Sequence, residues 1–127
     1  MRILVVDDDY HDAEQLSSIA RKEGIEVRVL NSLTEAVRVL MAEVYDLLFV
    51  DMYLPGLTGA TALSLLNEVA PRTPVVVLAN PASNYSTHTL LQAGAFRVFE
   101  KPVVRETLLS AIDEARAIRH TGPSGTT

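Results

Sequence analysis

The chain carries five short apolar runs separated by longer stretches of mixed polar and apolar residues. Three of these runs are almost continuously aliphatic, which is typical of strands buried on both faces of a parallel sheet. The second and the last run each contain an arginine, which indicates strands at or near the sheet edges. The runs are Ile3–Val6, Val27–Leu30, Leu47–Val50, Val75–Leu78 and Phe96–Phe99.

Each apolar run is followed by a stretch in which apolar residues recur at spacings of three and four, as they do along one face of a helix. Gly24, Pro71 and Gly94 come where the first, third and fourth of these patterns stop, and Ser32 or Thr34 is placed to cap the second. Helices are therefore predicted around residues Ala13–Ala20, Leu33–Leu40, Ala62–Val69, Ser86–Gln92 and Val104–Ile118.

Strand and helix thus alternate five times along the chain, with connections long enough for crossover helices. This order predicts an α/β fold of (βα)5 type, with a five-stranded parallel sheet and helices on both faces. The 127 residues suit one domain, which we place at residues 1–120. Residues 121–127 contain only Gly, Pro, Ser and Thr, and are predicted to be a disordered tail or the start of a linker.

The amino-acid composition excludes several classes of site from this chain and argues against others. Hydrophobic residues make up 48% of the chain, which is enough for a packed core, and the absence of cysteine excludes disulfides, thiolate metal sites and cysteine nucleophiles. The formal charge of −5 comes without a basic tract, so direct binding of nucleic acid by this domain is not expected. No apolar run approaches the roughly 20 residues that span a bilayer, and the apolar N-terminal run is too short for a signal peptide. We therefore expect a cytoplasmic protein that does not enter the membrane.

Polar residues follow the predicted strands at the edge where parallel α/β sheets form their sites. Asp7, Asp8 and Asp9 come after the first strand, Asp51 after the third and Lys101 after the fifth. Converging carboxylates repel one another unless a cation joins them, and oxygen ligands of this kind suit Mg²⁺. An aspartate can also form an aspartyl-phosphate, with a metal ion and a lysine offsetting the phosphoryl charge. These residues therefore predict a Mg²⁺-binding phosphoryl site.

Each of these residues also has a simpler interpretation. Asp9 or Asp12 is placed to cap a helix, Asp51 before Pro55-Gly56 could be a turn residue, and Lys-Pro pairs are common in loops. The prediction of a phosphoryl site therefore depends on the combination and the order of the residues. The histidines at positions 11, 88 and 120 share no metal-binding spacing and are predicted to be exposed helical residues.

The motifs resemble the receiver domain of two-component response regulators. The resemblance covers about residues 2 to 119, and its motifs keep the spacing of the family. It is carried by the sequences Ile3-Leu4-Val5-Val6-Asp7-Asp8-Asp9, Asp51-Met52-Tyr53-Leu54-Pro55-Gly56-Leu57-Thr58-Gly59, Gly94-Ala95 and Lys101-Pro102.

The resemblance implies a flavodoxin-like fold with strand order 2-1-3-4-5 and a site with assigned roles. Asp51 would accept a phosphoryl group from a histidine kinase, a phosphotransfer protein or a small phosphodonor. Asp8 would bind Mg²⁺ directly, Asp7 would act mainly through a metal-bound water, and the backbone carbonyl of Tyr53 would be a further ligand. Lys101 would pair with the phosphoryl oxygens. The peptide bond after Lys101 is often cis in this family, and homodimerisation through the fourth and fifth helices and the fifth strand is a family habit.

Two positions depart from the family pattern. The family has Thr or Ser at the end of the fourth strand, where Ala79 cannot donate a hydrogen bond, and an aromatic residue on the fifth strand, where this chain has Val98. Phe99 is adjacent, but strand alternation sends it to the opposite face. In the family, both positions belong to the switch that reports phosphorylation. Asn80 is a candidate substitute donor, and it is also placed to shape the turn before Pro81.

Three functions stay open at this point. The first is a phosphoacceptor receiver domain, a self-phosphorylating and self-dephosphorylating switch rather than a turnover enzyme, which would signal to a downstream effector protein or domain. The second is a pseudo-receiver, an interaction module that phosphorylation does not control, which Ala79 and Val98 favour. The third is a Mg²⁺-dependent phosphatase, which generally needs a carboxylate two residues after the nucleophile, where Tyr53 stands. In the first function Tyr53 could shield the phosphorylated Asp51 from water, which predicts slow self-hydrolysis.

Overall fold

The computed structural model describes residues 1–52, 59–82 and 85–121, with side chains up to residue 118. Strands and helices alternate along these residues, as the hydrophobic pattern predicts. The strands are β1 (Arg2–Val6), β2 (Glu26–Leu30), β3 (Leu47–Asp51), β4 (Val75–Ala79) and β5 (Arg97–Glu100). The helices are α1 (Tyr10–Lys22), α2 (Leu33–Ala42), α3 (Gly59–Val69), α4 (Thr87–Gln92) and α5 (Arg105–Thr121).

The five strands form one parallel sheet in the order β2-β1-β3-β4-β5. The flavodoxin-like order that the resemblance implies is therefore confirmed, and β2 and β5, whose apolar runs contain an arginine, lie at the edges. Every residue of β3 and β4 is buried, because helices cover both faces of these central strands. This burial explains why β4, and β3 up to Val50, are continuously apolar rather than alternating.

The sheet separates two hydrophobic cores. Alternate side chains of each strand point to opposite faces, so Leu4 and Leu48 pack beneath one group of helices and Ile3 and Phe49 beneath the other. Buried residues of α2, α3 and α4 cover the first face, and buried residues of α1 and α5 cover the second.

Local signals fix the helix ends. The Asp9 side chain caps α1 by accepting a hydrogen bond from the Asp12 amide at 3.1 Å, and Ser32 rather than Thr34 caps α2. Gly24 follows α1 with φ +79°, a conformation that glycine adopts without a steric penalty. The predicted boundary between the domain and a tail at residue 121 stays a prediction, since residues 122–127 lie outside the described part of the chain.

Replacing Leu66 by alanine should lower the free energy of unfolding by about 2–5 kcal/mol, because the substitution opens a cavity in the core beneath α3. Leu66 is 0% exposed, whereas Leu91 on α4 is 45% exposed and provides a matched control. Urea denaturation of Leu66→Ala and Leu91→Ala checks this packing. Similar losses in the two variants would contradict the assigned core.

Candidate functional site

Three aspartates meet at the carboxyl edge of the sheet. Asp7 follows β1 and Asp51 is the last residue of β3, and these neighbouring strands pair with Val6 beside Val50. The adjacent strand ends bring the carboxylates of Asp7, Asp8 and Asp51 together, with one oxygen of each within 4.8 Å of the others. The structure thus contains the convergence of carboxylates that the sequence predicts.

The three carboxylates differ in their exposure to water. Asp7 is 2% exposed and Asp51 is 9% exposed, whereas Asp8 lies on the surface. One oxygen of Asp7 accepts a hydrogen bond from the Asp9 amide at 2.9 Å. Burying a carboxylate costs free energy unless hydrogen bonds or opposite charge compensate it. The buried carboxylates of Asp7 and Asp51 therefore require a compensating positive charge, whereas the carboxylate of Asp8 is open to solvent.

The backbone of Lys101 is fixed at the end of β5. Its amide donates a hydrogen bond of 2.8 Å to the carbonyl oxygen of Ala79, the last residue of β4. The peptide bond between Lys101 and Pro102 is cis, as the family resemblance led us to expect. This attachment places the lysine side chain at the same edge of the sheet as the aspartates.

The Lys101 ammonium contacts two of the three aspartates and one further carboxylate. Its Nζ lies 3.0 Å from Asp7 Oδ2, 3.2 Å from Asp12 Oδ2 and 3.5 Å from Asp51 Oδ2. Burial by itself lowers the pKa of Lys101, but the hydrogen bond and charge of Asp7, with Asp51 and Asp12, outweigh it and raise the pKa above its ordinary value. Lys101 is therefore charged at neutral pH.

The cluster suits a small divalent cation. Asp7, Asp8 and Asp51 offer only oxygen ligands, which hard cations prefer, and the exposure of Asp8 leaves room for coordinating waters. The three carboxylates outnumber the single ammonium beside them, so a cation would also reduce their mutual repulsion. The backbone carbonyl of Tyr53, which the resemblance adds as a ligand, lies outside the described residues.

Comparison with known proteins decides the family. Residues 3–113 match the family model described as the response regulator receiver domain. The chain belongs to this family. It is a receiver domain of two-component response regulators, and its acidic cluster fits a phosphoacceptor site.

The curated relatives are longer proteins. The chain is 32% identical over 110 residues to "Transcription factor SKN7" of Saccharomyces cerevisiae, and this match covers 87% of the chain and 18% of that protein. It is 32% identical over 113 residues to "Transcriptional regulatory protein GlrR" of Escherichia coli, covering 89% of the chain and 26% of that protein. The chain thus spans from 18% to 50% of the length of the curated relatives it matches.

Two solved receiver structures match over nearly their whole length. A CheY-like receiver domain from Methanospirillum hungatei superimposes with a TM-score of 0.85 and 29% identity, covering 95% of this chain and 98% of that one. A response regulator from Chloroflexus aurantiacus superimposes with a TM-score of 0.83 and 28% identity, and the match covers 91% of this chain and 97% of that one. Among the described residues of this receiver, no helix is both long and apolar enough to cross a bilayer.

The two atypical positions of this receiver lie where the sequence places them. Ala79 ends β4 and is fully buried, and Val98 on β5 is partly buried against the core beneath α2, α3 and α4. Phe99 packs into the core on the opposite face, as strand alternation predicts. The neighbouring phenylalanine therefore does not stand in for the missing aromatic ring on the face of Val98.

An aromatic side chain does pack near these positions, but it comes from a different element. Tyr85 packs against the core that includes Ala79, as Val98 does, and its hydroxyl donates a 2.6 Å hydrogen bond to Glu100. This bond raises the pKa of Tyr85 and joins the segment before α4 to the end of β5. Nothing in the local sequence pattern pointed to this contact, because its partners belong to separate elements.

The structure shows the contacts of two further candidates from the sequence. Asn80 is exposed and its side-chain oxygen accepts a 2.9 Å hydrogen bond from the Ala82 amide, which is the turn-shaping role. Of the two aspartates considered as caps of α1, Asp9 caps the helix, whereas the side chain of Asp12 contacts Lys101. His11 and His88 are exposed on helices, as predicted, and the His120 side chain lies outside the described residues.

Replacing Lys101 by methionine should lower the free energy of unfolding by roughly 1–3 kcal/mol at neutral pH, because the buried Asp7 carboxylate loses its cation. Arg105→Met is the control, since its ion pair with Glu23 is about half exposed and solvent weakens such pairs. Metal-free urea denaturation of both variants makes the comparison. A loss no greater than that of Arg105→Met would contradict the compensating role of Lys101.

Proposed function

We propose that Asp51 accepts a phosphoryl group in a Mg²⁺-dependent reaction, and that this modification is the signal the domain carries in a two-component pathway. One observation carries the proposal: Asp51 lies beside Asp7 and Asp8, which can hold a divalent cation, and beside the charged Lys101. Acceptor, metal ligands and ammonium therefore share one edge of the sheet. Membership of the receiver family supports the same function.

The chemistry assigned to Asp51 needs no general base. A carboxylate oxygen of Asp51 attacks the phosphorus of the donor, and a new O–P bond forms while the bond from phosphorus to the leaving group breaks. With acetyl phosphate the bonding electrons leave on the acetate oxygen. With a phosphohistidine they return to the imidazole nitrogen. The ionised carboxylate has no proton to lose, so the remaining residues position charge rather than move protons.

Charge stabilisation falls to Lys101 and to the cation. The Lys101 ammonium is already 3.5 Å from Asp51 Oδ2 and can pair with a phosphoryl oxygen there. Mg²⁺, when bound, offsets negative charge on the phosphoryl oxygens. We assign Asp8 as its direct ligand together with Asp51, Asp7 as a residue that acts through a bound water, and the Tyr53 carbonyl as a further ligand.

The proposed partners follow from this reaction. A histidine kinase or a phosphotransfer protein would supply the phosphoryl group, and a downstream effector protein or domain would respond to it. Support comes from relatives in which a receiver is a small part of a longer protein, among them "Sensory/regulatory protein RpfC" of Xanthomonas campestris. The domain would catalyse its own phosphorylation and dephosphorylation rather than turn over a substrate. A cytoplasmic location belongs to the same proposal.

Incubation with acetyl phosphate and Mg²⁺ should add one phosphoryl group to the chain, and peptide mass spectrometry should place it on Asp51. Asp51→Asn should abolish the adduct because an amide is a poor nucleophile, and chelation of Mg²⁺ should prevent it in the wild type. Asp113→Asn, which removes an exposed carboxylate from α5, should leave the reaction intact. An unmodified wild type, or an equal adduct on Asp51→Asn, would refute the proposal.

A second function is favoured by the atypical switch residues. A pseudo-receiver would keep the fold and bind its partner without phosphorylation control. At the end of β4, Ala79 offers no hydroxyl to a phosphoryl group, and Val98 offers no aromatic ring on that face of β5. In this function Asp51→Asn would leave partner binding unchanged. The acidic cluster and Lys101, which a pure interaction module does not need, favour phosphorylation instead.

Replacing Ala79 by threonine should strengthen binding of beryllofluoride, a phosphoryl mimic, by about two- to tenfold, because the hydroxyl adds one hydrogen bond to the anion. Ala79→Val has nearly the same shape without the donor and serves as the control. NMR titration in Mg²⁺ measures both affinities. If threonine and valine give the same affinity, the missing hydroxyl is not what limits the response of this site.

A further inference from the structure

We propose that Asp12 competes with Asp51 for the Lys101 ammonium before phosphorylation and thereby slows the phosphorylation of Asp51; the inference rests on the function proposed above. The ammonium lies closer to Asp12 Oδ2, at 3.2 Å, than to Asp51 Oδ2, at 3.5 Å. Asp12 lies outside the cluster of three aspartates that can hold the metal. It is therefore a positioning residue that acts through Lys101.

The first turn of α1 leaves the Asp12 carboxylate available for this contact. At the third helical position, an acidic side chain often reaches back to the amide of the capping residue. Here that amide, on Asp9, donates instead to Asp7 Oδ1 at 2.9 Å. Asp12 contributes only its own amide to the cap, by donating to Asp9 Oδ1 at 3.1 Å. Its carboxylate points to Lys101.

The three carboxylates around Lys101 differ in how easily they release it. A lysine ammonium has three N–H donors, and a phosphoryl group on Asp51 needs at least one of them. The Asp7 side chain is 0% exposed, whereas the Asp12 side chain is 33% exposed and can be hydrated when the ammonium turns away. A cavity of about 20 Å³ lined by Asp12, Gln15 and Lys101 lies beside the contact. Asp12 is thus the contact that is released at the lowest cost.

The charge of Asp12 acts in the same direction as its contact with Lys101. The carboxylate adds negative charge beside Lys101, which would repel an anionic phosphodonor, and a cation held by Asp7, Asp8 and Asp51 would not use it as a ligand. Removing this charge should therefore speed phosphorylation. The same removal should weaken Mg²⁺ binding, because the attraction for the cation falls and the released ammonium moves closer to Asp7 and Asp51. These opposite changes separate a positioning role from a structural one.

The test compares Asp12→Asn with the wild type in two measurements. The rate constant of Asp51 phosphorylation by acetyl phosphate at saturating Mg²⁺ should rise about three- to tenfold, and the affinity for Mg²⁺ alone should fall about two- to fivefold. Asp12→Glu keeps the charge and should remain close to the wild type. Glu14→Gln removes a carboxylate from the same helix that pairs with Arg21 instead, and should change neither quantity.

The outcomes distinguish this inference from the proposed function. If the wild type accepts no phosphoryl group, the proposed function fails and this inference fails with it. If the wild type is phosphorylated but Asp12→Asn is not faster, or Glu14→Gln is equally accelerated, the inference alone is overturned. Asp12→Gln provides a second neutral variant if thermal denaturation shows that Asp12→Asn does not fold.

Discussion

Repulsion between carboxylates at one edge of the sheet is the constraint on which the rest of the site depends. Asp7 and Asp51 are almost buried, and Asp8 lies within 4.8 Å of both. Charges this close and this poorly hydrated destabilise the fold unless cations compensate them. Lys101 supplies one positive charge from the end of β5, and the remaining excess of negative charge suits the edge to the divalent cation proposed here. The stability of this edge and the proposed cation binding thus depend on the same arrangement.

The parallel sheet creates this constraint and also limits its cost. The order β2-β1-β3-β4-β5 places the ends of β1 and β3 side by side, and the backbone of Lys101 is attached to β4 through the carbonyl of Ala79. Two hydrophobic cores on opposite faces hold these strands in register. Burial of the aliphatic side chains stabilises the fold and offsets part of the electrostatic cost of the carboxylates at this edge. Polar function is therefore confined to the strand ends, where no core packing is lost.

Sequence reasoning recovered the strands to within one residue and the acidic cluster itself. Strands buried on both faces are apolar except at their ends, so the apolar runs mark them directly, and parallel topology then brings their ends together. Helix ends were less well predicted, because exposed first turns such as that of α1 carry no apolar pattern. The contacts between Asp12 and Lys101 and between Tyr85 and Glu100 were missed. Each joins distant parts of the chain through side-chain geometry that spacing alone does not encode.

Calorimetric titration with Mg²⁺ tests most directly whether the three aspartates form one divalent-cation site. The wild type should bind one Mg²⁺ per chain. Asp8→Asn removes the exposed ligand without disturbing the contacts of Lys101, and should weaken binding by at least about tenfold, because a neutral amide is a poorer ligand than a carboxylate. Asp113→Asn removes an exposed carboxylate of α5 that is not part of the cluster, and should bind Mg²⁺ like the wild type. Equal Mg²⁺ affinities for Asp8→Asn and the wild type would contradict the account.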